Sequence, residues 1–225
     1  MSWLMLLLCL LIQMRISSLQ SMNDSCSSNS TCGCSLKSTI LTKILGGEIA
    51  REDTWRWAIS IRSNNYHTCG GSLITSNLIL TAAHCFASVK DISKYSITAA
   101  STRLSNIRQQ RSLAQVFVHR QYNLSTYEND IAAIRLSSPL NMNDSSLAAL
   151  CLSKGITNDY TNDTDVVAIG WGVYSKDEIV SDVLRQVTLK TIPSMNRACL
   201  RSIRNANVQM CAGVSGGGKG IQRKS

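Results

Sequence analysis

The sequence lacks the features that would assign it to a multi-span membrane, nucleic-acid-binding, zinc-binding or repetitive class of protein. It contains no apolar run long enough to cross a bilayer as a helix, no low-complexity segment and no internal repeat. Its net charge of +9 comes from scattered Lys and Arg residues, whereas nucleic-acid binding needs clustered basic residues with aromatic partners. The pair Cys32 and Cys34 has no second ligand pair at zinc spacing. We therefore expect a solvated basic surface, with no nucleic-acid partner, no metal and no other cofactor.

The amino-terminal segment is typical of a secretion signal. Residues 2–12 are apolar over the length of a signal-peptide core, and Arg15 and the small residues Ser17 and Ser18 follow. Because this segment is too short to span a bilayer, we expect residues 1–18 to be removed and to leave no stable membrane anchor. The alternative is an uncleaved anchor or a buried helix, and the polar run that follows argues against it.

Other features fit secretion to an extracellular location. Nine cysteines are present, and eight remain once Cys9 leaves with the signal. An even number of cysteines in an oxidising compartment predicts disulfides. There are also five Asn-x-Ser/Thr sequons, several of them expected by chance in a chain rich in Asn and Ser, at Asn23, Asn29, Asn123, Asn143 and Asn162.

Short strand-like runs separated by turns predict an all-β fold. Residues 19–43 are polar and form a leader, and the runs begin after them, in the domain 44–225. They are rich in β-branched residues or alternate apolar and polar residues, and they cover 57–61, 71–83, 95–100, 113–119, 130–136, 165–171 and 183–192. This regular spacing indicates a barrel or a sandwich. One short helix is predicted at 194–203, with Ser194 as its cap.

His84 is a candidate general base. It ends an apolar run in "LTAAHC" and is followed at once by Cys85, sixteen residues after Cys69. A Cys69–Cys85 bridge would stabilise the domain by about 3 kcal/mol in the chain-entropy model and would hold the histidine rigidly. Taken alone, a single histidine is more often structural.

Asp130 is a candidate partner for this histidine. It opens the apolar run "DIAAIRL", where burying a carboxylate is costly without a partner. A hydrogen bond from His84 would satisfy the carboxylate, fix the imidazole tautomer and stabilise the imidazolium. Taken alone, Asp130 reads as a turn residue at the entry to a strand.

The bond between Lys43 and Ile44 is a candidate proteolytic site. It joins the polar leader to the domain, and exposed junctions of this kind are readily cleaved. Cleavage would create a new apolar amino terminus. The alternative is an ordinary linker.

These motifs together resemble the trypsin/chymotrypsin family of serine endopeptidases. "KILGG", "CGGSLITSNLILTAAHC", "NDIAAIRL", "GWG" and "MCAG" occur in the order and spacing of that family, from about Cys34 to Lys219. The resemblance implies two six-stranded antiparallel β-barrels with the active site between them. It also implies peptide or protein substrates, His84 as general base, Asp130 as its orienting residue, and Lys43–Ile44 as the bond at which an activating protease removes the propeptide 19–43. By the same resemblance, Cys199 and Cys211 form a bridge, and Cys151 pairs with Cys32 or Cys34.

The sequence departs from the family pattern near its end. After "CAGVSGGGK", the residues "GIQRKS" stand where the family has an acidic specificity residue and Gly-Asp-Ser-Gly-Gly-Pro with the nucleophile. Ser215, in "GVSGG", matches the Gly-x-Ser-x-Gly pattern, but no helix-forming sequence follows it. We therefore expect a complete first barrel, a truncated second barrel and no catalysis by these 225 residues. The sharp break after Lys219 suggests a changed reading frame or a retained intron. The alternative function is a secreted, non-catalytic protein-binding module.

Overall fold

The computed structural model describes residues 32–36, 47–152, 163–173, 180–193, 195–200 and 203–213. The predicted signal peptide, the Lys43–Ile44 bond, Ser194 and Ser215 lie outside these residues. The fold is all-β, as the sequence predicts, and it consists of one closed barrel and a second, open sheet.

Six antiparallel strands close the first barrel. They follow one another around it in the order β2, β3, β4, β7, β6, β5. Their bounds are β2 Ala58–Ser63, β3 Tyr66–Thr75, β4 Leu78–Thr81, β5 Tyr95–Ala99, β6 Gln109–Val118 and β7 Ala132–Leu136. The run 71–83, which reads as one strand-like stretch in the sequence, contains the end of β3 and all of β4. The chain turns between them, where the Thr75 hydroxyl donates a hydrogen bond to Asn77 Oδ1 at 3.0 Å.

The barrel encloses a predominantly apolar core. Every second residue of a strand faces inward, and branched side chains fill these positions. Six of them have 0% exposure: Ile59, Ile61, Leu73, Ile79, Ile97 and Ile134. Gly71 lies where a Cβ would come within 2.9 Å of Ile79 Cγ2, so its lack of a side chain lets β3 approach β4 closely. This packing gives a rigid scaffold for the loops at the ends of the strands.

The second sheet is built around one long strand. That strand is β9 Arg185–Ile192, which pairs antiparallel with β1 Glu48–Ile49, β8 Asp165–Gly170 and β10 Cys211–Gly213. A short helix, α1 Arg197–Leu200, precedes β10, within the segment that the sequence predicts to be helical. Trp171 of "GWG" fixes this sheet to the barrel, since its indole N–H donates to the Thr102 carbonyl at 2.9 Å.

Three disulfides lie among the described residues. They are Cys69–Cys85, Cys199–Cys211 and Cys32–Cys151. Of the two partners that the sequence left open for Cys151, the structure has Cys32, and Cys34 is also disulfide-bonded. Gly33 explains the tight fit, because its φ of +68° and a Cβ site 3.0 Å from Cys151 Sγ leave no room for a side chain.

The described residues contain no helix that is both long enough and apolar enough to span a bilayer.

Candidate active site

His84 lies at the exit of the barrel rather than inside it. β4 ends at Thr81, and a single 3-10 turn, Ala83–Cys85, follows. Ala83 is fully buried and fixes the turn to the barrel, while the His84 side chain keeps 39% of its surface exposed. Cys85, the residue after His84, forms a disulfide with Cys69 of β3 and so fixes the turn to that strand. The histidine is therefore rigidly held and still open to solvent.

Asp130 binds His84 through both carboxylate oxygens. Oδ2 lies 2.8 Å from His84 Nδ1, and Oδ1 accepts the backbone N–H of His84 at 2.9 Å. The Asp130 side chain is only 14% exposed, so this carboxylate is largely shielded from water. A carboxylate can only accept, so Nδ1 carries a proton, and in the neutral imidazole Nε2 is the nitrogen with the lone pair. The two residues are 46 positions apart in the chain, and the loop before β7 brings them together.

Tyr127 completes this group, and the sequence motifs did not identify it. Its ring lies edge-on to the imidazole, with centroids 6.2 Å apart and an interplanar angle of 79°. Tyr127 and Asn129 both adopt a φ of 55°, an uncommon conformation for residues other than glycine. This loop conformation directs the tyrosine and the following carboxylate toward the same imidazole. The only available signal was that Tyr127 lies three residues before Asp130.

The chemistry of the ligand atoms argues against a metal at this site. Cys69, His84 and Cys85 offer potential ligand atoms within 4.8 Å of one another. However, both sulfurs are joined in a disulfide of 2.00 Å, and it is the thiolate form of cysteine that binds metals. Of these three residues, only His84 therefore remains able to bind a metal, and one ligand does not make a site.

A second histidine, His67, has a very different environment. It lies on β3 with its Nδ1 atom 2.9 Å from the Ser60 hydroxyl, and its ring is edge-on to Trp171 at 5.6 Å. Burial, assisted by the positive charge of Arg62, lowers the pKa of His67 from 6.5 to about 4. The guanidinium of Arg62 donates to the Leu104 carbonyl and is only 6% exposed. His67 is therefore a neutral, structural histidine between the barrel and the second sheet.

A cavity of about 140 Å³ lies elsewhere, lined by residues that include Trp55, Arg103 and Arg108. Two of its three arginines face carboxylates, with Arg103 at 3.6 Å from Asp182 and Arg108 at 3.3 Å from Asp144. The third, Arg56, donates to the carbonyls of Cys34 and Leu147. His84 does not line this cavity. The local chemistry therefore centres on the exposed imidazole rather than on the cavity.

Comparison with known proteins identifies the family of the chain and agrees with its fold. The family model described as Trypsin matches residues 44–223. Transmembrane protease serine 11C of Mus musculus is 32% identical over 174 residues, which cover 76% of this chain and 38% of that protein. Serine proteinase stubble of Drosophila melanogaster is 29% identical over 208 residues, which cover 84% of this chain and 26% of that protein. The chain thus spans well under half the length of these curated relatives.

A solved structure shows the same architecture. Human heparin binding protein superposes with a TM-score of 0.65 at 25% identity, covering 76% of this chain and 73% of that chain. A closed six-stranded barrel, a second sheet and a His–Asp pair between loops define a chymotrypsin-like fold. The chain belongs to the trypsin family of serine proteases.

Proposed function

We propose that this chain is the zymogen form of a secreted, trypsin-like serine endopeptidase, with His84 as general base and Asp130 as its orienting residue. The carrying observation is the double contact between them, Oδ2 to Nδ1 at 2.8 Å and Oδ1 to the backbone N–H at 2.9 Å. One carboxylate oxygen fixes the tautomer, and the other fixes the turn that carries the ring. A general base needs both, because its free nitrogen must meet a hydroxyl proton in a defined direction.

In this proposal, His84 Nε2 accepts the proton of an attacking serine hydroxyl, and the charge that develops on the ring is stabilised by Asp130. The substrates are proteins or peptides, as befits a trypsin-family protease. The 225 residues contain no Gly-Asp-Ser-Gly segment, so we propose that this polypeptide by itself does not hydrolyse peptide bonds. The nucleophile and its oxyanion donors supply much of the catalysis in such enzymes.

Secretion and activation are parts of the same proposal. The signal-like residues 1–18 and the disulfides of the domain support an oxidising, extracellular location. An activating protease acts at Lys43–Ile44 and separates the propeptide 19–43 from the domain 44–225. Since Cys32 is bonded to Cys151, the leader stays covalently attached after that cleavage.

The alternative is a non-catalytic, protein-binding role. It is favoured by the closed barrel, which presents a complete folded surface without any contribution from a nucleophile. Large apolar side chains are also exposed beside the second sheet, with Met195 at 78% and Met210 at 54%. Such side chains are frequent at binding surfaces.

Transcript sequencing and a peptide-hydrolysis assay together distinguish the protease role from the protein-binding role. The full-length transcript around the codons for Lys219 is sequenced, and any product that encodes Gly-Asp-Ser-Gly-Gly-Pro downstream is expressed and assayed for peptide hydrolysis, with His84→Ala as its matched control. Activity that depends on His84 supports the protease. A transcript without those codons in any frame supports the binding role.

A fluorophosphonate probe tests the 225-residue chain directly. After treatment with trypsin, we expect no labelling of this chain, while an intact serine protease in the same tube is labelled. Labelling that disappears in Ser215→Ala would contradict the proposed inactivity.

A further inference from the structure

The loop between β6 and β7, residues 119–131, carries an exposed glycosylation sequon and the two residues that contact His84, Tyr127 and Asp130. The sequon is Asn123-Leu124-Ser125, and all three residues are exposed, with Leu124 at 60%. An N-linked sugar is bulky and hydrophilic and needs an exposed acceptor on the surface. The sequon therefore meets the first structural requirement for modification.

The Asn123 side chain is held in a way that leaves its acceptor nitrogen available. Its Oδ1 accepts the backbone N–H groups of Ser125 at 2.9 Å and Thr126 at 3.3 Å, the pattern of an Asx turn. Within the part of the chain that the structure describes, Asn123 Nδ2 makes no hydrogen bond. A sugar linked to Nδ2 leaves Oδ1 in place as an acceptor, so modification preserves the turn.

The same turn connects Asn123 to the candidate active site. The Asn123 carbonyl accepts the Tyr127 N–H at 2.7 Å, and the Tyr127 ring lies edge-on to His84. The Gln209 side chain also donates to the Thr126 carbonyl at 2.9 Å. The sequon thus belongs to a turn that is fixed both to Tyr127, the ring neighbour of His84, and to Gln209. We call the exposed surface of this turn and of the His84 ring the rim.

From this geometry we infer that Asn123 is N-glycosylated and that its glycan covers the rim beside His84, limiting the approach of macromolecules while leaving small molecules free to enter. The inference rests on the proposed secretory route. In the reaction, Asn123 Nδ2 attacks the anomeric carbon of an oligosaccharide carried on a lipid pyrophosphate. The N–C bond forms, the C–O bond to pyrophosphate breaks, the lipid pyrophosphate leaves, and the Nδ2 proton passes to a base of the transferase.

Asn143 provides an internal control. It is also exposed, and its sequon is completed by the exposed Ser145. The turn that carries it lies beside the start of β6, where the Asn141 backbone N–H donates to Gln109 Oε1 at 2.9 Å. Asn123 instead follows the end of β6, and a ten-residue strand such as this one spans about 33 Å. A glycan on Asn143 therefore reports passage through the secretory pathway without covering the rim at His84.

The test uses the full 225-residue chain expressed in a mammalian secretory cell line and recovered from cells and medium together. Peptide mapping by mass spectrometry gives the glycan occupancy of Asn123 and Asn143. The comparison variant is Ser125→Ala, which removes the sequon and keeps both turn hydrogen bonds, because those use Asn123 Oδ1 and backbone N–H groups. Digestion with trypsin then measures how readily a macromolecule reaches Arg120, which is exposed on the same loop. Cleavage after Lys94, an exposed residue before β5, is the internal reference.

We expect both asparagines to be occupied in the unmodified sequence. Cleavage after Arg120 is expected to be several-fold faster in Ser125→Ala, with the Lys94 rate unchanged, and enzymatic removal of the glycan should give the same acceleration. Occupied Asn143 with unoccupied Asn123 overturns this inference alone. Lack of occupancy at both positions overturns the secretory route as well. Occupied Asn123 with equal cleavage after Arg120 overturns the covering of the rim.

Discussion

The stability of the folded domain should fall as the pH is lowered from 7.5 to 5, because of His67. This ring is held neutral by burial and by the positive charge of Arg62, which lower its pKa from 6.5 to about 4. In the unfolded chain the same imidazole titrates near its ordinary pKa. Between these two values the unfolded state binds a proton that the folded state does not, so acid favours unfolding. The loss begins as the pH falls through about 6.5 and is complete below about 4.

The magnitude follows from the two pKa values. A fall from 6.5 to about 4 corresponds to about 3 kcal/mol over the full titration, of which about 2 kcal/mol is lost between pH 7.5 and pH 5. The ring is only partly buried, so solvent screening reduces the expected loss to about 1–2 kcal/mol. Carboxylates such as Asp91 and Asp182 do not interfere in this window. Hydrogen bonds from the backbone N–H groups of Ser93 and Ser105 lower their pKa values below 3.8.

The assay is urea unfolding of the disulfide-intact chain at pH 7.5, 6.5, 5.5 and 5.0. The matched variant is His67→Gln, which can still hydrogen-bond Ser60 and has no charge at any of these pH values. We expect the free energy of unfolding of the parent chain to fall by about 1–2 kcal/mol across the window, and that of His67→Gln to change much less. Equal pH dependence in the two proteins would refute the reasoning, as would a parent chain whose stability rises with acid.

Three further outcomes follow from the contacts at the candidate site and the leader. Asp130→Ala should abolish the NMR signal of the protected His84 Nδ1 proton and lower the free energy of unfolding by about 1–3 kcal/mol. The reason is that the backbone N–H and the ring Nδ1 of His84 both lose their acceptor. An unchanged signal would contradict the pairing. Replacing Cys69 and Cys85 together by serine should cost about 3 kcal/mol in urea unfolding, given their separation of 16 residues, and the Cys199–Cys211 pair serves as a comparison of similar loop length. Brief trypsin treatment should yield the new amino terminus "ILGGE". The leader should be released only after reduction, because Cys32 is bonded to Cys151. Release of the leader without a reductant would count against the prediction.

Much of the fold could be read from local sequence, because strand periodicity is a local property. Alternating or β-branched runs marked seven stretches, and strands of the structure lie in all of them. The errors are at boundaries. The run 130–136 was expected to start a strand at Asp130, yet β7 starts at Ala132, since the carboxylate is used by His84 instead of continuing the strand. β6 likewise starts at Gln109, before the apolar pattern begins, because barrel closure pairs polar residues of β6 with β5.

The sequence by itself determined the all-β class, the trypsin-family motifs and the candidate residues His84 and Asp130. Each of these depends on which residue types follow one another along the chain. Tertiary structure alone decided that Cys32 rather than Cys34 reaches Cys151, that Tyr127 lies against His84, and that His67 is held neutral. Those outcomes depend on distances between residues far apart in sequence and on the water excluded around them, and both are set only when the barrel closes.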